Sequence, residues 1–251
     1  MVSSYNFSMA LRLLVIACLL LNVVHAQDVE GGGGEGGGGG GGGGGGEECD
    51  KDFDLTFVID GSGSIEQAGR GNFNRVKDFV KRVVKGFRIG SDQTHVGAVI
   101  YSSSRYVRDV FKLDDHYDIA GIDRAIDRMI YPSGGTYTGK ALTRARTSLY
   151  TSSADRSDKP NVCIVITDGK ANDEIAGPAR ALRDKETKIF AIGVGRDFDR
   201  SELEVMAGDP SNVFTADFNE LGTVIEQIKR SACQGLFVFT LNPFTPKSAK
   251  F

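Results

Sequence analysis

Phe53-Asp-Leu-Thr-Phe-Val-Ile59, followed at once by Asp60-Gly-Ser-Gly-Ser64, is the stretch whose reading decides the fold. A near-continuous apolar run reads as a strand covered on both faces, the kind that fills parallel sheets flanked by helices. Its carboxyl end releases a carboxylate and a pair of hydroxyls, and open α/β sheets hold their ligands at that edge. Val162-Cys-Ile-Val-Ile-Thr167 repeats the pattern and runs into Asp168-Gly169, so Asp168 is expected on the same edge. Thr136 lies in the glycine-rich segment Ser133-Gly-Gly-Thr-Tyr-Thr-Gly139, which opens a further helix. Asp60, Ser62, Ser64, Thr136 and Asp168 are therefore expected to gather as one oxygen-only cluster. Such donors suit a hard divalent cation, Mg²⁺ first, with Mn²⁺ or Ca²⁺ as alternatives.

Outward from these runs, apolar strands alternate with helical periods. Strands are read at 53–59, 94–101, 105–111, 161–167, 188–194 and 212–215, and helices near 72–87, 117–130, 138–151, 173–184, 200–207 and 218–231. In the first helix Phe73, Val76, Phe79, Val80 and Val83 recur at three- and four-residue spacing and define one buried stripe. The alternation predicts an α/β fold: a doubly wound, mostly parallel six-stranded sheet with helices on both faces. Segment 105–111 follows the Tyr101-Ser-Ser-Ser-Arg105 turn after a few residues and is the expected antiparallel edge strand.

The amino terminus carries the marks of a signal peptide: Arg12, the apolar core Leu13–Leu21, and a small-residue cleavage site at Val24-His-Ala26. That core falls short of the roughly 20 apolar residues a membrane span needs. Residues 1–26 are thus expected to be removed, and 27–48 to be a glycine-rich flexible linker, since the glycine tract 31–46 buries nothing and would lose too much backbone entropy to fold. A domain over 49–233 and a short tail over 234–251 complete the expected organisation. The formal charge is −3 and becomes one unit more negative without Arg12, which gives no reason to expect nucleic acid or an anionic membrane as partner. Of the four cysteines, Cys18 lies in the signal peptide, Cys163 inside an apolar strand, and Cys49 and Cys233 bracket the domain. In an oxidising compartment Cys49 and Cys233 are expected to pair, leaving Cys163 as a small buried hydrophobe.

Taken alone, Asp-x-Ser-x-Ser is an ordinary turn and capping sequence. Its conjunction with Thr94-His-Val-Gly-Ala-Val-Ile-Tyr-Ser102, Gly134-Gly-Thr-Tyr-Thr-Gly-Lys-Ala-Leu142, Val165-Ile-Thr-Asp-Gly169, Ile189-Phe-Ala-Ile-Gly-Val-Gly195 and Cys233 is specific. Over about residues 50–233 the chain resembles a von Willebrand factor type A domain, of the subgroup found in matrilins and in the non-collagenous parts of collagens. The resemblance implies a complete metal-ion-dependent adhesion site (MIDAS). In it the hydroxyls of Ser62, Ser64 and Thr136 approach the ion, and Asp60 and Asp168 act largely through water or hydrogen bonds.

Hydroxyl and water ligands leave most of the cation's charge unneutralised, so a partner carboxylate from Glu or Asp is the expected complement. The expected function is that of a secreted adhesion protein of the extracellular matrix, binding a collagen-like or glycoprotein partner, with no enzymatic activity and no membrane span. Gly61, Gly63, Gly135 and Tyr137 are the expected partner-facing positions. His95, within a strand, and His116, beside a helix start, sit in no recognisable base motif and read as structural. Thr138 reads as a helix cap, and Asp173-Glu174 as acids complementing the dipole of their own helix. A second reading is an organic-matrix protein, for instance of a biomineral, acting through its glycine-rich arm. An α/β hydrolase ranks third, because position 60 is Asp and position 64 is Ser where a Gly-x-Ser-x-Gly elbow would need glycine.

Overall fold

The computed structural model describes residues 51–151 and 154–234. The expected signal peptide, the glycine-rich linker, Cys49 and the tail beyond residue 234 lie outside the described residues. Strands β1 (Asp54–Asp60), β2 (His95–Tyr101), β3 (Val107–Phe111), β4 (Asn161–Thr167), β5 (Lys188–Val194) and β6 (Val213–Ala216) form one six-stranded sheet in the order β3-β2-β1-β4-β5-β6. Every pairing is parallel except that of β2 with β3, so the edge strand foreseen from its short connection is antiparallel. β1, β2 and β4 are buried at every position, which is why their sequences are apolar without alternation.

The helices are α1 (Gly63–Gln67), α2 (Asn72–Val84), α3 (Ile119–Asp127), α4 (Thr138–Arg144), α5 (Ala176–Arg183), α6 (Arg200–Ala207) and α7 (Ile225–Gln234). Successive side chains of a strand point to opposite faces, and β1 feeds two separate cores. Phe57 and Ile59 pack with the α2 stripe Phe73, Val76, Phe79, Val80 and Val83. Val58 packs on the other face with Ala141 and Leu142 of α4, Leu182 of α5 and Leu203 of α6. Cys163 sits in this second core as a free thiol, pushed up to about 12 by burial, and is inert.

Several boundaries differ from the sequence reading. Helix α1 was not anticipated, being a single short turn after the Ser62 loop. The segment read as one helix over 138–151 is α4 followed by a π-helical turn, Ala145–Leu149. The helix expected from 173 begins at Ala176, because Asp173 and Glu174 are used as caps. The helix expected from 117 begins at Ile119, where the Asp118 carboxylate accepts from Gly121 N at 2.7 Å. The last helix is preceded by a 3₁₀ turn, Leu221–Val224.

The chain runs from β1 outward to β2 and β3 and then returns to place β4 on the other side of β1. The winding direction reverses between β1 and β4, and a crevice opens at the carboxyl ends of those two strands. At the opposite end of β1, the fully buried Asp54 is clamped by Arg156. The Arg156 Nε donates to Asp54 Oδ1 and its backbone N to Oδ2, both at 2.8 Å, while its other nitrogens reach the Gln93 and Phe53 carbonyls. Removing the guanidinium would strand a buried carboxylate. Arg156→Ala is therefore expected to lower the unfolding free energy by about 3 kcal/mol in urea titrations. A loss under about 1 kcal/mol, the scale of an exposed ion pair, would contradict this account of the clamp.

Candidate metal centre

Asp60 ends β1 and is fully buried. Its Oδ1 accepts from the Ser62 backbone N at 2.8 Å and its Oδ2 from the Thr167 hydroxyl at 2.7 Å, so one carboxylate ties the end of β1 to the end of β4. Burial pushes the Asp60 carboxyl up to about 7; the Thr167 hydrogen bond opposes the rise and the nearby Asp168 adds to it. Asp168 follows β4 directly, and its Oδ1 accepts from Ser64 Oγ at 2.8 Å, with Ser62 Oγ at 3.4 Å. The two serine hydroxyls stand 2.9 Å apart. Burial raises the Asp168 carboxyl as well, against the hydrogen bonds from Ser64 and Ser62.

Thr136 arrives from a different loop. A Cβ placed on Gly169 would stand 3.8 Å from Ser64 Oγ and 3.9 Å from Thr136 Oγ1, so both hydroxyls face the small space over Gly169. Thr136 is fixed reciprocally by Asn172: its N donates to Asn172 Oδ1 at 2.6 Å, and its carbonyl accepts from Asn172 N at 2.7 Å. The five residues singled out in the sequence thus converge on one cradle at the switch point. The residues that hold them there were not foreseen. Thr167 lay in the quoted strand and could have been found, since it immediately precedes Asp168. Asn172, and Tyr131, whose hydroxyl donates to the Ser62 carbonyl at 2.6 Å, carried no comparable signal.

Two readings near the cradle need correction. Thr138 does not cap α4: its hydroxyl lies 3.1 Å from the buried Tyr101 hydroxyl. The cap is the Asp173 carboxylate, which accepts from Gly139 N at 2.9 Å and from Lys140 N at 2.8 Å. Asp173 therefore serves the start of α4 rather than its own helix. The approach is so close that a Cβ on Gly139 would overlap the Glu174 carbonyl oxygen. Glycine there is a packing requirement, and it presses the Thr136 loop against the segment following Asp168.

Among the expected partner-facing positions, Gly61 is buried, and a Cβ there would lie 2.6 Å from Pro132 Cδ, so its role is internal packing. Gly63, Gly135 and Tyr137 are half-buried at the rim. Of the histidines, His95 is buried with Nε2 2.9 Å from the Ser91 carbonyl, and the His116 ring stacks against Phe111.

The arrangement fits a hard cation. Asp60 and Asp168 are both raised by desolvation, and among the described residues neither is paired with a lysine or arginine. The described residues contain no group of three or more His, Cys, Asp or Glu placed to hold a metal, so any ion here would rely on hydroxyl donors. Residues 54–227 match the family described as von Willebrand factor type A domain. The chain belongs to that family.

Its relatives include the mouse (Mus musculus) collagen alpha-4(VI) chain, 39% identical over 180 residues, and mouse vitrin, 37% identical over 188 residues. The matches cover 72% and 74% of this chain but only 7% and 28% of those proteins, so the chain spans a small part of each relative's length. Among solved structures, proximal thread matrix protein 1 from the mussel byssus superposes with a TM-score of 0.70 at 30% identity, over 74% of this chain and 48% of that one. That protein has also been solved with zinc occupying its MIDAS motif. The type A relatives place the chain in the extracellular matrix, and no helix among the described residues is long and apolar enough to cross a membrane.

A carboxyl raised by folding binds more protons in the native than in the unfolded state. Its contribution therefore declines as pH rises from the unfolded value of 3.8 to about 7, and is level above that. In EDTA, Asp60→Asn is expected to gain stability relative to the parent chain between pH 4.5 and 7.5, by about 2–4 kcal/mol in urea titrations. A difference independent of pH would contradict the burial argument.

Proposed function

We propose that this type A domain is a metal-dependent adhesion module that binds an acidic side chain of a matrix protein, collagen or a glycoprotein, and catalyses nothing. The observation that carries the reading is the pair of buried carboxylates, raised by desolvation, which share one cradle with three converging hydroxyls and are paired with no lysine or arginine among the described residues. Ser62, Ser64 and Thr136 would hold the ion directly, with Asp60 and Asp168 behind them, and a bound Mg²⁺ or similar cation supplies an electrophilic centre for an anionic oxygen.

The chain's own residues do the rest. Thr167 and the Ser62 backbone hold the Asp60 carboxylate in one orientation, and Asn172 fixes Thr136. Gly63, Gly135 and Tyr137 form the rim that a partner would meet. Relatives from matrix collagens and the zinc-occupied MIDAS of the mussel protein support the reading.

The disulfide belongs to the same proposal. Cys163 is buried as a free thiol, which supports pairing of Cys233 with Cys49. Such a bond would fasten the end of α7 to the start of β1 and restrain any travel of that helix, giving a nearly constant affinity.

The test is binding of the secreted chain to immobilised collagens and matrix glycoproteins in Mg²⁺, in EDTA, and with Ser64→Ala, whose side chain is only half-buried. Binding is expected to fall at least about tenfold in EDTA and with the substitution, the variant melting in EDTA close to the parent chain in EDTA. Binding indifferent to both would place the partner on another surface and overturn the proposal.

A further inference from the structure

A second surface lies beside the free edge of β3, and nothing in the adhesion reading uses it. A groove of about 330 Å³ runs between β3 and α3, walled by Tyr106, Arg108, Val110, Arg128, Met129 and Ile130. Ile130 is 77% exposed, the most exposed of the large hydrophobic residues described. β3 carries a bulge here: Val99 pairs with Asp109 and Ala98 with Phe111, so Val110 has no partner in the ladder. Bulges re-aim side chains and interrupt an edge.

The charge around the groove is unbalanced. Arg108 and Arg128 are both exposed, and among the described residues neither is paired with an acid. Arg108 lies over the Tyr106 ring at 5.0 Å, which holds its guanidinium at the rim. The acid of the groove, Asp109, is already used: both its oxygens accept from Arg144, at 2.8 and 2.6 Å, and Ser148 donates to it as well. It has little capacity left to neutralise Arg108. A net-negative chain therefore presents an apolar floor between unpaired arginines.

We propose that this groove binds an extended acidic–apolar protein segment. An aliphatic side chain would lie against Ile130 and Met129, and flanking carboxylates would meet the forks of Arg108 and Arg128. The inference does not depend on a metal. It has a spatial consequence for the adhesion reading, because Ile130 runs through Tyr131 and Pro132 into the loop that carries Thr136, so a partner longer than a few residues could reach both surfaces.

The experiment uses the full chain in EDTA with a fluorescein-labelled peptide of alternating Glu and Leu, and a Lys/Leu peptide as its counterpart, read by fluorescence anisotropy. The Glu/Leu peptide is expected to bind. Its affinity should fall about tenfold or more with Arg108→Glu/Arg128→Glu and with Ile130→Asp, and should weaken with added salt. These side chains are exposed, so circular dichroism melts should match those of the parent chain; Arg108→Ala/Arg128→Ala gives a milder second variant should either reversal fail to fold. Equal binding of the Lys/Leu peptide, or affinity untouched by the substitutions, would overturn the proposal. Sedimentation showing that the chain self-associates through Ile130 would overturn it too, by assigning the groove to a second copy.

Discussion

The Asp60 carboxylate is buried between the carboxyl ends of β1 and β4, and the upper edge of the sheet is organised by how it is held. A carboxylate removed from water costs several kcal/mol unless its oxygens are satisfied. Here one oxygen accepts from the Ser62 backbone and the other from Thr167. The first bond shapes the turn that presents Ser62 and Ser64, and the second ties that turn to the strand that delivers Asp168. The hydroxyls then close on Asp168 from above. These hydrogen bonds offset burial only in part, and the Asp60 carboxyl is pushed up to about 7.

The same logic of buried charge is answered differently at the other end of β1. Asp54 is also fully buried, but it has a guanidinium as its partner. One strand therefore carries a compensated acid at its start and an uncompensated one at its end. The compensated acid anchors the sheet against the 154–160 loop. The uncompensated one lies in the proposed metal cradle, where a local rule is broken and the two packed cores on either side hold the strand in place.

Much of this was legible in the sequence. The central strands announce themselves because burial on both faces forces apolar residues at every position, and the α2 stripe because burial on one face forces a helical period. The converging oxygens could be placed because each follows a strand or a glycine-rich loop. What could not be read was how they are secured. The Asn172–Thr136 and Tyr131–Ser62 contacts join segments far apart in sequence, and polar side chains in loops show no periodicity. The Asp173 cap was misread for a related reason. An acid just before a helix is ordinarily assigned to that helix, whereas here tertiary packing aims it at the start of α4. The π-helical turn after Arg144 likewise leaves no mark in the apolar pattern, since it keeps Ala145 and Leu149 buried.

For the Asp60–Asp168 cradle to bind a divalent cation as proposed, its carboxylates must ionise. Calorimetric titration of Mg²⁺ into the chain at pH 6.5, repeated in buffers of different ionisation enthalpy, tests both parts together. Saturable binding is expected, accompanied by release of a substantial fraction of one proton, with the release lost in Asp60→Asn. Absence of binding, or binding with no proton released, would contradict it.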